Sequence, residues 1–248
     1  MRAALALAVF CLMPLSAGAD ELTVAAAANL QFTLEEIKAV FEQQTGIQLK
    51  TVLGFSGKLT TQIKNGAPFD IFMSADEDYP QRLYTDGVTL GPPKVYAYGS
   101  LVLWTFKDLD LSQGIAGLPS AAFEKIAVAS PQAAPYGREA VNAMTHHNVY
   151  HAIESKLVYG ESVSQVNQFI TTQAADAGFT AKSIVLAPNM SGKGKWMEVD
   201  PKAYRPIAQS AVLLKHAESR KENAQRFYDF LFSARAREIF KKYGYILP

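Results

Sequence analysis

The order of apolar and polar positions along the chain predicts strands that alternate with helices. The apolar run at 22–27 is typical of a short buried strand, and the apolar residues 30, 34, 37 and 41 that follow have helical spacing. Alternation at 48–53 predicts a second strand and residues 69–73 a third, each followed by a further helix. This order is typical of an α/β fold with a mainly parallel sheet and helices on its faces.

The second half of the chain continues the same pattern. Strands are predicted at 101–104, 126–129 and 207–214, and helices at 150–157, 163–170, 218–232 and 234–243. No internal repeat and no Gly/Ser-rich or Pro-rich linker separates them. We therefore expect two compact α/β lobes joined by several short crossings. Lobe 1 is expected to comprise residues 20–98 and 205–248, and lobe 2 residues 99–204.

The N-terminus has the pattern of an export signal. Arg2 precedes an apolar run at 3–15, and the small residues Ala-Gly-Ala follow at 17–19. The run is shorter than the roughly 20 residues that a spanning helix needs. Residues 1–19 are thus predicted to be a signal peptide that is cleaved before Asp20, which indicates a periplasmic protein.

Charge and cysteine content exclude several classes of function. The chain has 24 Lys and Arg against 23 Asp and Glu, a net charge of +1. This balance gives no basic surface for nucleic acid or an anionic membrane, so we expect neither as a partner. The single cysteine, Cys11, lies in the predicted signal, which excludes a disulfide framework and a Cys-rich metal site. No cofactor is indicated.

Small or hydroxyl-bearing residues recur where the predicted strands end and helices begin. They are Ala28-Asn29, Ser56-Gly57, Ser74-Ala75 and the turn Pro135-Tyr136-Gly137. Unpaired backbone N–H groups at helix N-termini bind anions, and ligands of open α/β sheets sit at this edge. Asn29 and Ser56 are therefore candidates for anion binding through side-chain and backbone donors. The alternative is ordinary helix capping, which Asn and Ser favour anywhere.

Four motifs together resemble the periplasmic molybdate-binding proteins of ABC importers. They are TVAAAANL at 23–30, GFSGKL at 54–59, NGAPFDIFMSAD at 65–76 and AREIFKKYGY at 236–245. The third is the most specific, and together the motifs span nearly the whole mature chain. The resemblance implies a two-lobed periplasmic binding protein fold whose cleft closes on a tetrahedral oxyanion, molybdate or tungstate. It also implies delivery to an ABC permease in the inner membrane by a monomer without enzymatic activity.

The resemblance also assigns the site. Asn29 and Ser56 stand where the family has side-chain donors of the first lobe, and Tyr136 and Val163 stand at the second-lobe positions. Many members have a tyrosine where this chain has Ala181, and we expect Tyr136 to supply that hydroxyl. The complete set of expected ligand-binding residues is Ala28, Asn29, Ser56, Gly57, Tyr136 and Val163. Lys58 and Arg138 are expected at the cleft rim, where they attract an anion without touching it.

Two other functions compete with oxyanion binding. The motif Gly54-Phe55-Ser56-Gly57-Lys58 resembles the nucleophile elbow of a hydrolase, except that Lys58 replaces its last glycine. The alternative function is therefore a secreted serine hydrolase that uses Ser56, with Asp70 or Asp76 and His151 or His216.

A metal site is the other alternative. His146, His147 and His151 are closely spaced, and the last two could share a helix face. They lack a nearby Glu in the catalytic arrangement and a third ligand at a usual distance, so we expect them to be surface histidines.

Overall fold

The computed structural model describes residues 21–248. The predicted signal peptide and its cleavage before Asp20 lie outside this range. The described residues form ten strands: β1 Glu21–Ala27, β2 Gln48–Gly54, β3 Ile71–Ser74, β4 Lys94–Gly99, β5 Leu101–Thr105, β6 Ile126–Ala129, β7 Leu157–Gly160, β8 Ala177–Ala181, β9 Lys195–Glu198 and β10 Ile207–Leu213. They also form nine α-helices: α1 Gln31–Thr45, α2 Ser56–Lys64, α3 Asp78–Thr85, α4 Pro135–His146, α5 Tyr150–Ile153, α6 Val163–Thr171, α7 Lys182–Val185, α8 Lys221–Phe230 and α9 Ala234–Lys242. None of the helices between residues 21 and 248 has the length and apolar character needed to cross a membrane.

The strands form two five-stranded sheets with the same arrangement. The first has the order β2-β1-β3-β10-β4 and the second β7-β6-β8-β5-β9. In each sheet the fourth strand in this order, β10 or β5, pairs antiparallel with both of its neighbours. The other four strands of each sheet share one direction, which confirms the predicted α/β class with mainly parallel sheets. The two sheets match the two expected lobes, whose boundaries in the chain remain predictions.

The chain passes between the sheets by short segments. Strand β4 ends at Gly99 in the first sheet, and β5 begins at Leu101 in the second. The return runs from Glu198 to Ile207. The two crossing segments contact each other, because Val199 N donates to Leu101 O at 3.0 Å. Short, paired crossings of this kind are suited to hinge motion between lobes.

The first sheet is covered by apolar side chains on both faces. Along β1, Val24 and Ala26 belong to one cluster, whereas Ala25 between them belongs to another, as strand alternation requires. The first cluster includes Phe41 of α1 and Phe227 of α8, whose ring centroids are 5.0 Å apart. The second sheet has a separate core. Each lobe thus contains its own apolar core.

The structure corrects two predicted helices. Residues 150–157 were expected to be one helix, but α5 ends at Ile153, and Leu157 begins β7, which pairs in parallel with β6. The helix expected to open at 74–76 begins instead at Asp78. Asp76 lies in the preceding turn, where its Oδ1 accepts from Tyr79 N at 3.2 Å. At Leu157, pairing with β6 replaces the local helical preference.

Candidate functional site

A small cavity lies where loops of the two sheets meet. The volume in which the centre of a water-sized sphere fits is about 10 Å³. This volume is close to the minimum for one water molecule. Five of the six expected ligand-binding residues line it. The complete lining is Ala27, Ala28, Asn29, Gly54, Phe55, Ser56, Ala75, Ala134, Pro135, Tyr136 and Val163. No side chain in this lining carries a charge. A larger cavity of about 280 Å³ near Met197 contains none of the expected residues.

Asn29 is not a helix cap. It lies in a 3-10 turn, Ala28–Leu30, that leads into α1, and its side chain makes no capping hydrogen bond. Its Nδ2 donates to Gln209 Oε1 at 2.8 Å and lies 3.0 Å from Tyr245 Oη. Its Oδ1 is buried and has no partner within residues 21–248. The capping interpretation of Asn29 is therefore wrong, because tertiary contacts hold the side chain.

Ser56 is not a helix cap either. It is the first residue of α2, the cap position is taken by Phe55, and Ser56 itself is fully buried. The Ser56 Oγ accepts a hydrogen bond from Ala75 N at 3.2 Å. Because the hydroxyl acts as an acceptor there, its own proton remains available for a ligand. Ala75 follows β3, so this bond holds Ser56 against the end of β3.

Tyr136 reaches the cavity from the other lobe. It lies in the first turn of α4, and burial raises the pKa of its hydroxyl well above the ordinary value, which keeps it a protonated donor. Two glycines make its position possible. A Cβ on Gly137 would lie 2.0 Å from Ala129 O, so only glycine lets α4 begin this close to β6. A Cβ on Gly99 would lie 2.0 Å from the Tyr136 hydroxyl oxygen itself.

Val163 and Ala28 also line the cavity. Val163 is the first residue of α6, a nine-residue helix whose cap Ser162 accepts from Gln165 N at 3.3 Å. The Val163 N–H belongs to the first turn, where N–H groups have no partner within the helix. Gly57 is the one expected residue that does not line the cavity. Its N–H donates to Ala133 O at 3.0 Å, across to the second lobe.

Contacts between the lobes surround the cavity. On one side, the hydrogen bond from Gly57 is accompanied by one from Tyr79 Oη to Gln132 O at 3.2 Å. On another, the Ser183 hydroxyl of α7 donates to Asn29 O at 2.8 Å. Residues that line or adjoin the cavity thus join the two lobes through hydrogen bonds.

The charged groups near the cavity are paired or face solvent. Arg138 Nη2 lies 3.0 Å from Asp76 Oδ2, and its Nε lies 3.2 Å from Glu139 Oε1. Burial raises the pKa of Asp76, although the hydrogen bond from Arg138 opposes this shift. Lys58 is exposed, with its Nζ 5.9 Å from the ring centroid of Phe55. Neither cation belongs to the lining, and their place at the cleft rim stays a prediction.

The geometry gives the hydrolase alternative no support. The residue that hydrogen-bonds Ser56 Oγ is Ala75, through its backbone N–H, whereas a nucleophile needs a base that accepts its proton. His151 and His216, the two candidate bases, are exposed. His146 and His147 are exposed as well, and in the described part of the chain no three His, Cys, Asp or Glu residues are grouped to hold a metal ion.

Comparisons with known proteins agree with this arrangement. The family model described as bacterial extracellular solute-binding protein matches residues 22–246. The chain belongs to this family.

Among these solute-binding proteins, the molybdate-binding protein ModA of Rhodobacter capsulatus is 39% identical over 98% of this chain and 95% of its own length. ModA of Azotobacter vinelandii is 38% identical over 94% of this chain and 93% of its own length. The solved structure of the Azotobacter vinelandii periplasmic molybdate-binding protein has a TM-score of 0.85 and 33% identity, covering 92% of this chain and 99% of that one. The resemblance read from the sequence is thereby confirmed.

Two residues that contact Asn29 from outside the cavity lining were missed by sequence analysis. Gln209 lies in β10 and Tyr245 near the C-terminus, 180 and 216 positions from the Asn29 that they hydrogen-bond. Tyr245 belongs to the quoted motif at 236–245, but no local pattern links either residue to Asn29. Only the fold brings them together.

Proposed function

We propose that this chain captures a tetrahedral oxyanion, molybdate or tungstate, and delivers it to an ABC importer. The observation that carries the proposal is the convergence of Asn29, Ser56, Tyr136 and Val163, drawn from both lobes, on one buried cavity without a charged side chain. Relatives at 38–39% identity that are named molybdate-binding proteins support it. The oxyanion is in this view a ligand, and no cofactor takes part.

Neutral donors suit a fully ionised oxyanion. The hydroxyls of Ser56 and Tyr136, and backbone N–H groups at Ala28, Asn29 and Val163, can replace the hydration shell of a dianion without a cation. Molybdate and sulfate carry no proton at neutral pH, whereas phosphate does. When the hydroxyls and N–H groups of the shell all donate to the anion, no carboxylate is present to accept the O–H of phosphate, so we expect phosphate to bind poorly.

Binding requires the lobes to adjust. The cavity of about 10 Å³ is close to the room for one water molecule, whereas an oxyanion has four oxygens around its central atom. We infer that the lobes part at the crossing segments, accept the anion, and close again over it. The fit on closing then selects among oxyanions by size.

Several further features complete the proposal. The mature protein begins at Asp20 after export to the periplasm, acts as a monomer and has no catalytic residue. Its second partner is an ABC permease in the inner membrane. N-terminal sequencing of the protein from a periplasmic extract tests the cleavage site, and light scattering tests the monomer.

Calorimetric titration with molybdate, tungstate, chromate, sulfate and phosphate tests the central proposal. We expect saturable binding of molybdate or tungstate with one site per chain, and phosphate weaker by more than tenfold. Phosphate affinity within tenfold of molybdate affinity would contradict a shell of donors alone. Labelling of Ser56 by a serine-directed phosphonate, together with ester turnover, would favour the hydrolase instead.

A further inference from the structure

Gln209 holds the Asn29 carboxamide from behind the cavity. It is fully buried in β10 and is not among the lining residues. Its Nε2 donates to Ile207 O at 3.3 Å, and its Oε1 accepts from Asn29 Nδ2 at 2.8 Å. Because a backbone carbonyl only accepts, the bond to Ile207 fixes the nitrogen end of Gln209. Its oxygen end is therefore held toward Asn29.

Gln209 rather than Tyr245 decides how the Asn29 carboxamide is oriented. A tyrosine hydroxyl can donate or accept, so Tyr245 is compatible with either end of the amide. The Tyr245 hydroxyl also lies 3.2 Å from Asn29 O and 3.2 Å from Ser183 Oγ, which gives its proton two other acceptors. The oxygen of Gln209 accepts only and is compatible with the nitrogen end alone.

The side-chain oxygen of Asn29 is not stabilised by a hydrogen bond to any described residue in this orientation. Oδ1 is buried without a partner in the part of the chain that the structure describes, and a buried acceptor without a donor is unfavourable. A carboxamide free to rotate would turn its oxygen toward the Tyr245 hydroxyl, which can donate. The acceptor on Gln209 opposes this turn.

We propose that Gln209 is a positioning residue for oxyanion selectivity, acting through the orientation of Asn29. This inference rests on the oxyanion site proposed above. With Gln209 in place, one N–H of the Asn29 carboxamide bonds to Gln209. The other N–H is bonded to Tyr245 before the anion binds, and it donates to the anion instead once the anion is bound. A reversed carboxamide brings an oxygen lone pair to that point instead. That oxygen repels a dianion but accepts the O–H of a protonated oxyanion.

Titration of Gln209→Met with molybdate and with phosphate tests the proposal. Methionine keeps an unbranched side chain of similar length and removes both polar ends. We expect the molybdate Kd to rise at least tenfold, and the ratio of phosphate Kd to molybdate Kd to fall at least tenfold. Tyr245→Phe is the matched control, because it removes a neighbour of the same amide but leaves the acceptor on Gln209. Its selectivity ratio is expected to stay within threefold of wild type.

A double-mutant cycle separates positioning from general damage. In an Asn29→Ala background, Gln209→Met should change the molybdate Kd by less than twofold, because no carboxamide remains to be oriented. Additive effects in the cycle, or equal losses for molybdate and phosphate, would overturn the positioning role. Wild-type protein that binds no molybdate would refute the proposed function itself, a separate result.

Nuclear magnetic resonance keeps the test independent of how Gln209→Met folds. In wild-type protein with ¹⁵N-labelled asparagine, molybdate should shift one of the two Nδ2 protons of Asn29 strongly and leave the other, bonded to Gln209, nearly unchanged. Two unmoved protons, or two that shift equally, would overturn the assignment.

Discussion

Replacing Ser56 by Ala removes one hydroxyl from the cavity and leaves the neighbouring backbone in place. If the hydroxyl donates to a dianion, its loss should weaken binding by about 1.5–3 kcal/mol, the range for hydrogen bonds to charged groups. At about 1.4 kcal/mol for each tenfold change, the molybdate Kd should rise roughly tenfold to 150-fold.

The same substitution has a cost in stability that the structure identifies. Ser56 Oγ is the acceptor for Ala75 N at 3.2 Å, so the variant leaves a buried N–H without a partner. We expect the free energy of unfolding to fall by about 1–3 kcal/mol, measured without ligand in urea. The two losses are distinct because one is measured by ligand titration and the other in the absence of ligand.

Thr60→Val is the matched control on the same helix. Thr60 is buried and donates through its Oγ1 to Ser56 O at 2.8 Å, but it does not line the cavity. Its loss should lower stability and leave the molybdate Kd within about twofold of wild type, since no donor to the ligand is removed. Calorimetry on the three proteins at one pH is the assay. An unchanged Kd in Ser56→Ala, with wild-type binding intact, would refute the donor role of Ser56.

Three further variants test other parts of the structure. Tyr136→Phe keeps the ring and removes one donor, so molybdate should bind about 1–3 kcal/mol more weakly; equal affinity would make Tyr136 an aromatic lid. In Gly57→Ala the new Cβ would lie 3.1 Å from Ala133 O across the lobe contact, so scattering with saturating molybdate should show a more open molecule than wild type. In Asp176, burial raises the pKa, but the hydrogen bond from Lys107 and two backbone N–H groups outweigh it and lower the pKa below 3.8. A lowered folded-state pKa stabilises the protein above the unfolded value, so Asp176→Asn should destabilise at pH 7, and its difference from wild type should shrink as the pH falls below 3.8, measured by urea unfolding.

Local sequence predicted the elements whose pattern is self-contained. The β1, α1 and β2 segments have regular spacing. Helix α1 ends at Thr45, and Gly46 after it has a φ of 74°, the left-handed conformation that favours glycine. The strand-to-helix turns made Asn29, Ser56 and Tyr136 candidates before any fold was known, because such turns of an α/β sheet converge at one edge. Val163 became a candidate only through the family resemblance.

Other elements depended on partners distant in sequence. Leu157, the first residue of β7, was expected to end a helix. The rest of β7, together with β4, β8 and β9, was not predicted, because a short strand is stabilised by the strands beside it more than by its own residues. The two sheets share one arrangement of strand directions although the sequence has no repeat. A common arrangement of strand directions requires apolar patterns of the same kind, not the same residues.

The candidate site likewise depended partly on the local sequence and partly on the tertiary structure. The sequence determined which residue types stand at the turns: a hydroxyl at Ser56, an amide at Asn29 and a phenol at Tyr136. Only the tertiary structure decided what each does, since Asn29 and Ser56 were equally good caps and instead bond to Gln209 and Ala75. Capping is a local interaction that sequence spacing describes, whereas a buried polar group takes whatever partner the packed fold brings within hydrogen-bond distance.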